Sequence, residues 1–359
     1  MSKIKVLVVD DSAFMRKSIS IMVESDKDIE VIATARDGEE GYNLAKTLRP
    51  DIITLDIEMP KMDGLTALKK IMKDCPTSVL MVSSLTSEGA EATLKALEYG
   101  AVDFIPKELS YVNVNIIKVK EDLIKKIKEI VRHRQLKEGL NRLRRIKGEQ
   151  PAPLESPSLS TQREIPKLGF KAIALGVSTG GPLSLQKVIP LLSKKINVPM
   201  FIVQHMPPKF TKSLADRLNG MSELEVKEAE PNEAVRNNVV YIAPGGFHMG
   251  LKKNSMGNVL VDISENPNTT LHRPSVDVMM ESVVNIYGKY TLSVIMTGMG
   301  KDGLEGIKIL KNLGGYCIAQ NAETCIVYGM PKAVVDYGCA DVVSPLEKIA
   351  EVINKVLIR

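Results

Sequence analysis

Cysteine is scarce in this chain. Its four residues (Cys75, Cys317, Cys325, Cys339) show no CxxC spacing, so neither a zinc site nor a redox pair is indicated. So few cysteines in 359 residues also exclude a disulfide scaffold, and a reducing cytoplasm is the expected setting. No apolar run approaches the ~18 residues that a membrane span needs. The N-terminal apolar run ends in Asp10 and Asp11, a pairing no signal peptide carries. In that setting the Asn268-Thr269-Thr270 sequon carries no glycan. Aromatic residues amount to only 4%, and residues 118–147 contain none. That stretch holds twelve Lys/Arg against four Asp/Glu, so it carries a charge of +8 within a chain of net +5 and leaves the remainder at −3. A basic segment without aromatics to stack on bases is a weak nucleic-acid signal, and no nucleic-acid partner is expected.

Present instead are 44% hydrophobic and 25% charged residues, the balance of a soluble globular protein with two domains at this length. From Lys5 onward, apolar runs alternate with helical patterns in five βα repeats over about 120 residues. Near-continuous apolar strands predict a parallel sheet covered on both faces. Residues 118–147 read as a charged helix, and Gly148 to Pro166, rich in Pro and Ser, as a linker. A second α/β unit begins at Lys171 and includes a hairpin between Phe247 and Ile263, with Asn254 and Gly257 in its turn. The expected fold class is therefore α/β with two doubly wound domains: a five-stranded parallel sheet, then a mostly parallel sheet with a β-hairpin. The boundaries fall at 1–120, 121–168 and 169–359.

In the first half, Asp10 and Asp11 close the first strand, Asp56 the third, Ser83 the fourth and Lys107 the fifth. With strand order 2-1-3-4-5 the first and third strands are neighbours, and their carboxyl ends form the switch point where ligands bind. Three carboxylates there repel one another unless a hard cation such as Mg²⁺ joins them. A carboxylate nucleophile, a metal, a hydroxyl and a lysine suit phosphoryl transfer onto Asp56. Asp63 before Gly64 needs no more than a helix start. Residues 1 to about 120 resemble a response-regulator receiver domain, through VVDDS (8–12), LDIEMPKMDG (55–64), MVSS (81–84) and DFIPK (103–107). The resemblance implies Asp56 as phospho-acceptor, Asp10 and Asp11 with Asp56 as Mg²⁺ ligands, and Ser83 and Lys107 as support for the phosphoryl group. One departure is Glu108, where Pro commonly follows the lysine.

In the second half, Gly176-Val177-Ser178-Thr179-Gly180 satisfies G-x-S-x-G between a strand and a helix, a turn that presents a serine hydroxyl. The competing reading is an anion-cradling glycine loop. His205 ends the strand that begins at Pro199 and can serve as base, though a structural histidine fits the same pattern. Asp302 lies past the strand Thr291 to Met296, where it orients the base or caps the next helix. Together, three strand ends deliver Ser, His and Asp to one rim, a triad defined by geometry and not by chain order. Residues 171–359 resemble the catalytic domain of chemotaxis protein-glutamate methylesterases, through GVSTGGP, VQHMP, IAPGGFHM, HRPSVDVMMES and MTGMGKDG. The resemblance implies hydrolysis of glutamate γ-methyl esters on chemoreceptors and deamidation of their glutamines. It makes Ser178 the nucleophile, His205 the acid/base and Asp302 the orienting acid, and puts Thr179 and Met299 at the oxyanion site. His248, His272 and Arg273, read as loop residues, line the cleft or pack beside it. No cofactor is expected for hydrolysis, and the phosphodonor is a chemotaxis histidine kinase. The alternative is a response regulator whose second half binds a ligand without catalysis. Trapping of Ser178 by a phosphonyl reagent separates the two. The order receiver, linker, hydrolase further predicts that the unphosphorylated receiver blocks the catalytic rim.

Overall fold

The computed structural model describes residues 3–107, 115–146 and 169–358. The linker 148–166 and Glu108 lie outside them. The chain separates into two compact units, Met1–Leu143 and Arg144–Arg359.

The first unit is a five-stranded parallel sheet in the order β2-β1-β3-β4-β5, formed by β1 (Ile4–Val9), β2 (Ile29–Ala35), β3 (Ile52–Asp56), β4 (Ser78–Ser83) and β5 (Asp103–Pro106). Helices α1 (Ala13–Glu24), α2 (Gly38–Leu48), α3 (Gly64–Asp74) and α4 (Ser87–Glu98) connect the strands, and α5 (Asn115–Ile146) follows the last. Polar side chains start these helices as expected for N-caps: Ser12 accepts from Met15 N, Asp37 from Glu40 N, Asp63 from Thr66 N and Thr86 from Gly89 N. All of β3 and β4 is buried, hence their apolar sequences. The long basic helix joins this unit through an apolar stripe, Leu123, Ile127, Ile130 and Val131, all buried. On the same helix Lys126 reaches Asp103 at 2.9 Å and the Phe104 carbonyl at 3.0 Å, tying α5 to β5.

The second unit is a seven-stranded, wholly parallel sheet with the order β14-β13-β12-β6-β7-β9-β8. Its strands are β6 (Ala172–Val177), β7 (Met200–Gln204), β8 (Glu225–Glu228), β9 (Val239–Ile242), β12 (Thr291–Ile295), β13 (Tyr316–Gln320) and β14 (Val342–Ser344). Hairpin β10 (His248–Lys253) and β11 (Val259–Ser264) forms a separate antiparallel pair. The helices are α6 (Gly181–Val188), α7 (Phe210–Asn219), α8 (Val276–Tyr287), α9 (Leu304–Asn312), α10 (Met330–Asp336) and α11 (Leu346–Leu357). The core includes Phe201 stacked on Tyr241 at 5.6 Å, and Met279, Met280 and Val283 of α8, all fully buried.

Three elements were not expected from the sequence. Strand β8 (EVKE) has one apolar side chain and sits at the sheet edge, where only Val226 is buried. Strand β14 has three residues, and α10 only seven with Pro331 in its first turn. Patterns this short carry no periodicity to read. His248 corrects the loop assignment: it opens β10 and is 1% exposed. The glycines and Phe247 ahead of it disguise a strand start as a loop.

Candidate active site and phosphoacceptor site

In the receiver unit, β1 and β3 are adjacent, so their carboxyl ends bring Asp10, Asp11 and Asp56 together. One carboxylate oxygen from each lies within 4.8 Å of the others. Asp10 and Asp56 are buried and Asp11 is exposed. Lys107 places its ammonium 2.6 Å from Asp56 Oδ2 and 3.5 Å from Asp10 Oδ2, an ion pair shared by two carboxylates. Burial raises the pKa of both acids. For Asp56, Lys107 offsets only part of the rise and the charge of Asp10 adds to it, leaving the group at about 6. Lys107 is the one group paired with these two buried oxygens among the described residues, so two carboxylates share a single cation. A surplus of buried carboxylate oxygen is the donor set Mg²⁺ prefers, and the residues fit that ion. Ser83 ends β4 beside this cluster, and its hydroxyl donates to the Gly89 carbonyl at 3.1 Å. Arg16, which drew no attention in the sequence, donates to the backbone carbonyls of Asp10 and Asp11 at 2.8 and 2.9 Å and holds the acidic turn in place.

In the second unit, β6 lies between β12 and β7, and the direction of the strand order reverses at β6. Ser178 follows β6, His205 follows β7 and Asp302 follows β12, so parallel pairing sets the three at one sheet edge. Ser178 Oγ is 3.1 Å from His205 Nδ1, and His205 Nε2 is 2.7 Å from Asp302 Oδ2. The ring is turned the opposite way from the familiar triad, which offers Nε2 to the serine. The carboxylate fixes the tautomer: Nε2 carries the proton it donates to Asp302, leaving the Nδ1 lone pair aimed at the hydroxyl. All three residues are half-buried.

Asp302 does not cap the helix that follows it. Gly303 occupies that N-cap with no side-chain bond. The carboxylate turns instead to the start of α8, where it accepts from Val276 N (2.7 Å), Asp277 N (3.0 Å) and Ser275 Oγ (2.9 Å). Burial alone pushes Asp302 up, but His205 and these amides outweigh it and hold the carboxyl well below the usual carboxylate range. Asp277 in turn accepts from Gly306 N in the first turn of α9, at 2.9 Å. Each helix start is thus capped by an acid belonging to the other helix or its entry loop. Asp277 lies in the opposite electrostatic position: burial, and then the charge of Asp302, raise it to about 6.

The nucleophile turn is held tightly. Gln204 Nε2 donates to the carbonyls of both Ser178 (3.0 Å) and His205 (3.2 Å), clamping the two through their backbones. A Cβ on Gly181 would stand 1.9 Å from Gln204 Oε1, so the clamp requires glycine there. Thr297 accepts from Ser178 N through its carbonyl at 2.9 Å and donates to the Thr179 carbonyl through Oγ1 at 2.9 Å. Gly298, next to Met299, passes so close that a Cβ would sit 2.9 Å from Ser178 Cβ. Thr179 and Met299 are both buried beside the nucleophile turn. His272 stacks on the His205 ring at 4.1 Å, whereas Arg273 bonds Asn268 Oδ1. Gln204, Ser275 and Thr297 were invisible beforehand: each reads as an ordinary polar residue at a strand end or helix start, and only tertiary contacts give it a task.

Family models match both halves: the response regulator receiver domain over residues 6–115 and the CheB methylesterase over residues 173–353. Over nearly its whole length the chain is 49% identical to protein-glutamate methylesterase/protein-glutamine glutaminase 1 of Oleidesulfovibrio alaskensis, covering 98% of each. It is 44% identical to protein-glutamate methylesterase/protein-glutamine glutaminase of Pyrococcus horikoshii, covering 99% of this chain and 94% of that one. The catalytic domain of Thermotoga maritima CheB methylesterase, solved as a crystal structure, superposes with a TM-score of 0.50 at 48% identity, covering 52% of this chain and 98% of that domain. These matches give no support to a non-catalytic second half. The chain therefore belongs to the CheB methylesterase family, with a response regulator receiver domain ahead of the esterase domain.

Proposed function

We propose that this protein hydrolyses glutamate γ-methyl esters on chemoreceptors, deamidates receptor glutamines, and is switched on by phosphorylation of Asp56. The observation that carries the reading is the unbroken hydrogen-bonded chain Ser178–His205–Asp302 at one sheet edge. His205 Nδ1 takes the Ser178 proton as Oγ attacks the ester carbonyl carbon. The backbone amides of Thr179 and Met299 are assigned to the oxyanion. Asp302, kept ionised, stabilises the imidazolium, which returns its proton to the departing methoxide oxygen to release methanol, or to the leaving amide nitrogen to release ammonia. Water, deprotonated by His205, then releases the acyl group as a glutamate carboxylate and restores the serine. The half-buried hydroxyl of Ser178, at the carboxyl edge of the sheet, suits a side chain on another protein.

In the receiver, Asp56 accepts the phosphoryl group from a chemotaxis histidine kinase, and Lys107 and Ser83 steady it. Asp10, Asp11 and Asp56 would hold Mg²⁺, whose charge neutralises the transferring phosphoryl oxygens; hydrolysis itself is assigned no cofactor. We take residues 1–120 as the switch, 121–168 as helix and linker, and 169–359 as the hydrolase. A cytoplasmic location fits this role, and no helix among the described residues is long and apolar enough to cross a membrane. The test is methanol release from methylated receptor with and without a small phosphodonor. Release that rises with the donor is expected. No methanol under either condition removes the esterase reading, and equal release under both removes the switch.

A further inference from the structure

The loop that carries Asp302 runs between Gly300 and Gly303, both at positive φ (80° and 97°), a turn that suits glycine. The four groups that bond the Asp302 carboxylate, His205 Nε2, Ser275 Oγ, Val276 N and Asp277 N, all lie outside this loop, so the orientation of the acid is set from there. Its carboxylate is gripped by the start of α8, and the residue there with a side-chain bond to it is Ser275, through Oγ to Oδ1. Ser275 occupies the N-cap position of α8, yet its hydroxyl caps nothing in its own helix. What holds Ser275 is a buried histidine from a different element. His248, at the head of β10, accepts from Ser275 N through Nδ1 at 3.2 Å. On its other side Nε2 faces the Pro267 carbonyl at 3.2 Å, with Thr270 Oγ1 at 3.3 Å. A carbonyl only accepts, so Nε2 carries the proton and Nδ1 is the free lone pair that Ser275 N requires. One neutral tautomer satisfies both neighbours. Burial, and after it the charge of Arg273, oppose protonation of this ring.

We infer that His248 is a positioning residue of the hydrolytic site: by holding the Ser275 backbone it aims the Ser275 hydroxyl, and through it the Asp302 carboxylate, at His205. His248 touches neither substrate nor reacting atoms. The chain of contacts is His248 Nδ1, Ser275 N and Oγ, Asp302 Oδ1 and Oδ2, His205 Nε2. The inference rests on the esterase reading above, but its test is separable from it.

In the full chain, His248→Leu removes the acceptor and the donor together. It is expected to lower kcat for methanol release about 30-fold while KM changes less than about twofold, because binding groups are untouched and only alignment is lost. His248→Asn keeps an acceptor near the Nδ1 position and is expected to recover kcat to within about fivefold of the parent. Ser275→Ala, which deletes one oxygen and leaves the backbone intact, is expected to cost about tenfold. In an Asp302→Asn background, His248→Leu is expected to add less than about twofold, since no carboxylate remains to be aimed. Phosphonylation of Ser178 by a fluorophosphonate, read by mass spectrometry, follows the same order without any receptor. Full kcat in His248→Leu, or an undiminished further loss in the Asp302→Asn background, would overturn the inference. Absence of methanol release by the parent chain counts against the esterase reading alone, and the phosphonylation rates then decide the role of His248. Should His248→Leu fail to fold, Ser275→Ala and His248→Asn carry the same comparison.

Discussion

Both halves of this protein put their chemistry at the same place, the carboxyl edge of a parallel sheet where the strand order turns. They load that edge in opposite electrostatic ways. The receiver brings Asp10, Asp11 and Asp56 together with a single ammonium paired to the two buried ones, and burial leaves Asp56 at about 6. The second unit sets the Asp302 carboxylate among four hydrogen-bond donors and holds it far below its usual value. The first arrangement holds more buried carboxylate than cation, a balance suited to the cation and phosphoryl group proposed for it. The second is complete before substrate binds, which is what catalysis by preorganised dipoles requires. One sheet edge therefore serves as a sensor or as a machine according to how its charges are balanced.

The sharpest way to separate the two sites is to remove the nucleophile of one. Ser178→Ala should lower ester hydrolysis by more than about 10⁴-fold and leave the rate of Asp56 phosphorylation unchanged. Methanol release and radiolabel uptake, measured on the same preparation, check both halves, and retained hydrolysis would take Ser178 out of the mechanism. The reverse separation uses a chelator. Stripping divalent cations should slow Asp56 phosphorylation about 100-fold, while hydrolysis by the unphosphorylated chain stays within about twofold. A parallel fall in basal hydrolysis would mean that the second site also depends on a metal.

A smaller effect probes the acid that contrasts with Asp302 inside the hydrolase. Asp277, at about 6 in the folded chain against 3.8 when exposed, holds a proton in the native state that the unfolded state has already lost between those values. Stability contributed by that proton declines as pH rises through this window, and the cost is complete above it. Asp277→Asn, whose side-chain oxygen still accepts from Gly306 N, should therefore stabilise the protein by about 1 kcal/mol at pH 8, after allowance for its partial exposure, and by nothing below about pH 4. Thermal unfolding at the two pH values reads the difference. A gain of equal size at both would show that the benefit is not electrostatic.

Asp10, Asp56, Ser178 and His205 were legible because each directly follows or ends an apolar run, and a parallel sheet gathers such positions without further information. The hairpin was legible from its turn residues. Asp302 was legible as the acid that orients His205, but not in its bonds to the start of α8. A cap for the following helix was the local expectation, and the carboxylate went to a different helix because β12 and α8 meet only in three dimensions. His248 was singled out only as a residue that lines the cleft or packs beside it, with no partner named, and Gln204 was not singled out at all. A histidine behind two glycines and a glutamine at the end of a strand gain their roles from chain segments tens of residues away, at Ser275 and Ser178. The fold class rested on periodicity, which is local. The supports of the site rest on tertiary packing, which is not.

The reciprocal caps of α8 and α9 tie the fate of the acid to a helix pair. A Cβ on Gly306 would lie 2.4 Å from Met280 Cβ, so the two helix starts run nearly in touch. If they separate by the length of one hydrogen bond, Asp302 loses Val276 and Asp277 while Asp277 loses Gly306, and both helix ends expose bare amides. Loosening at this seam would misalign the acid while the sheet beneath it is still fully paired, so heat inactivation should set in ahead of global melting.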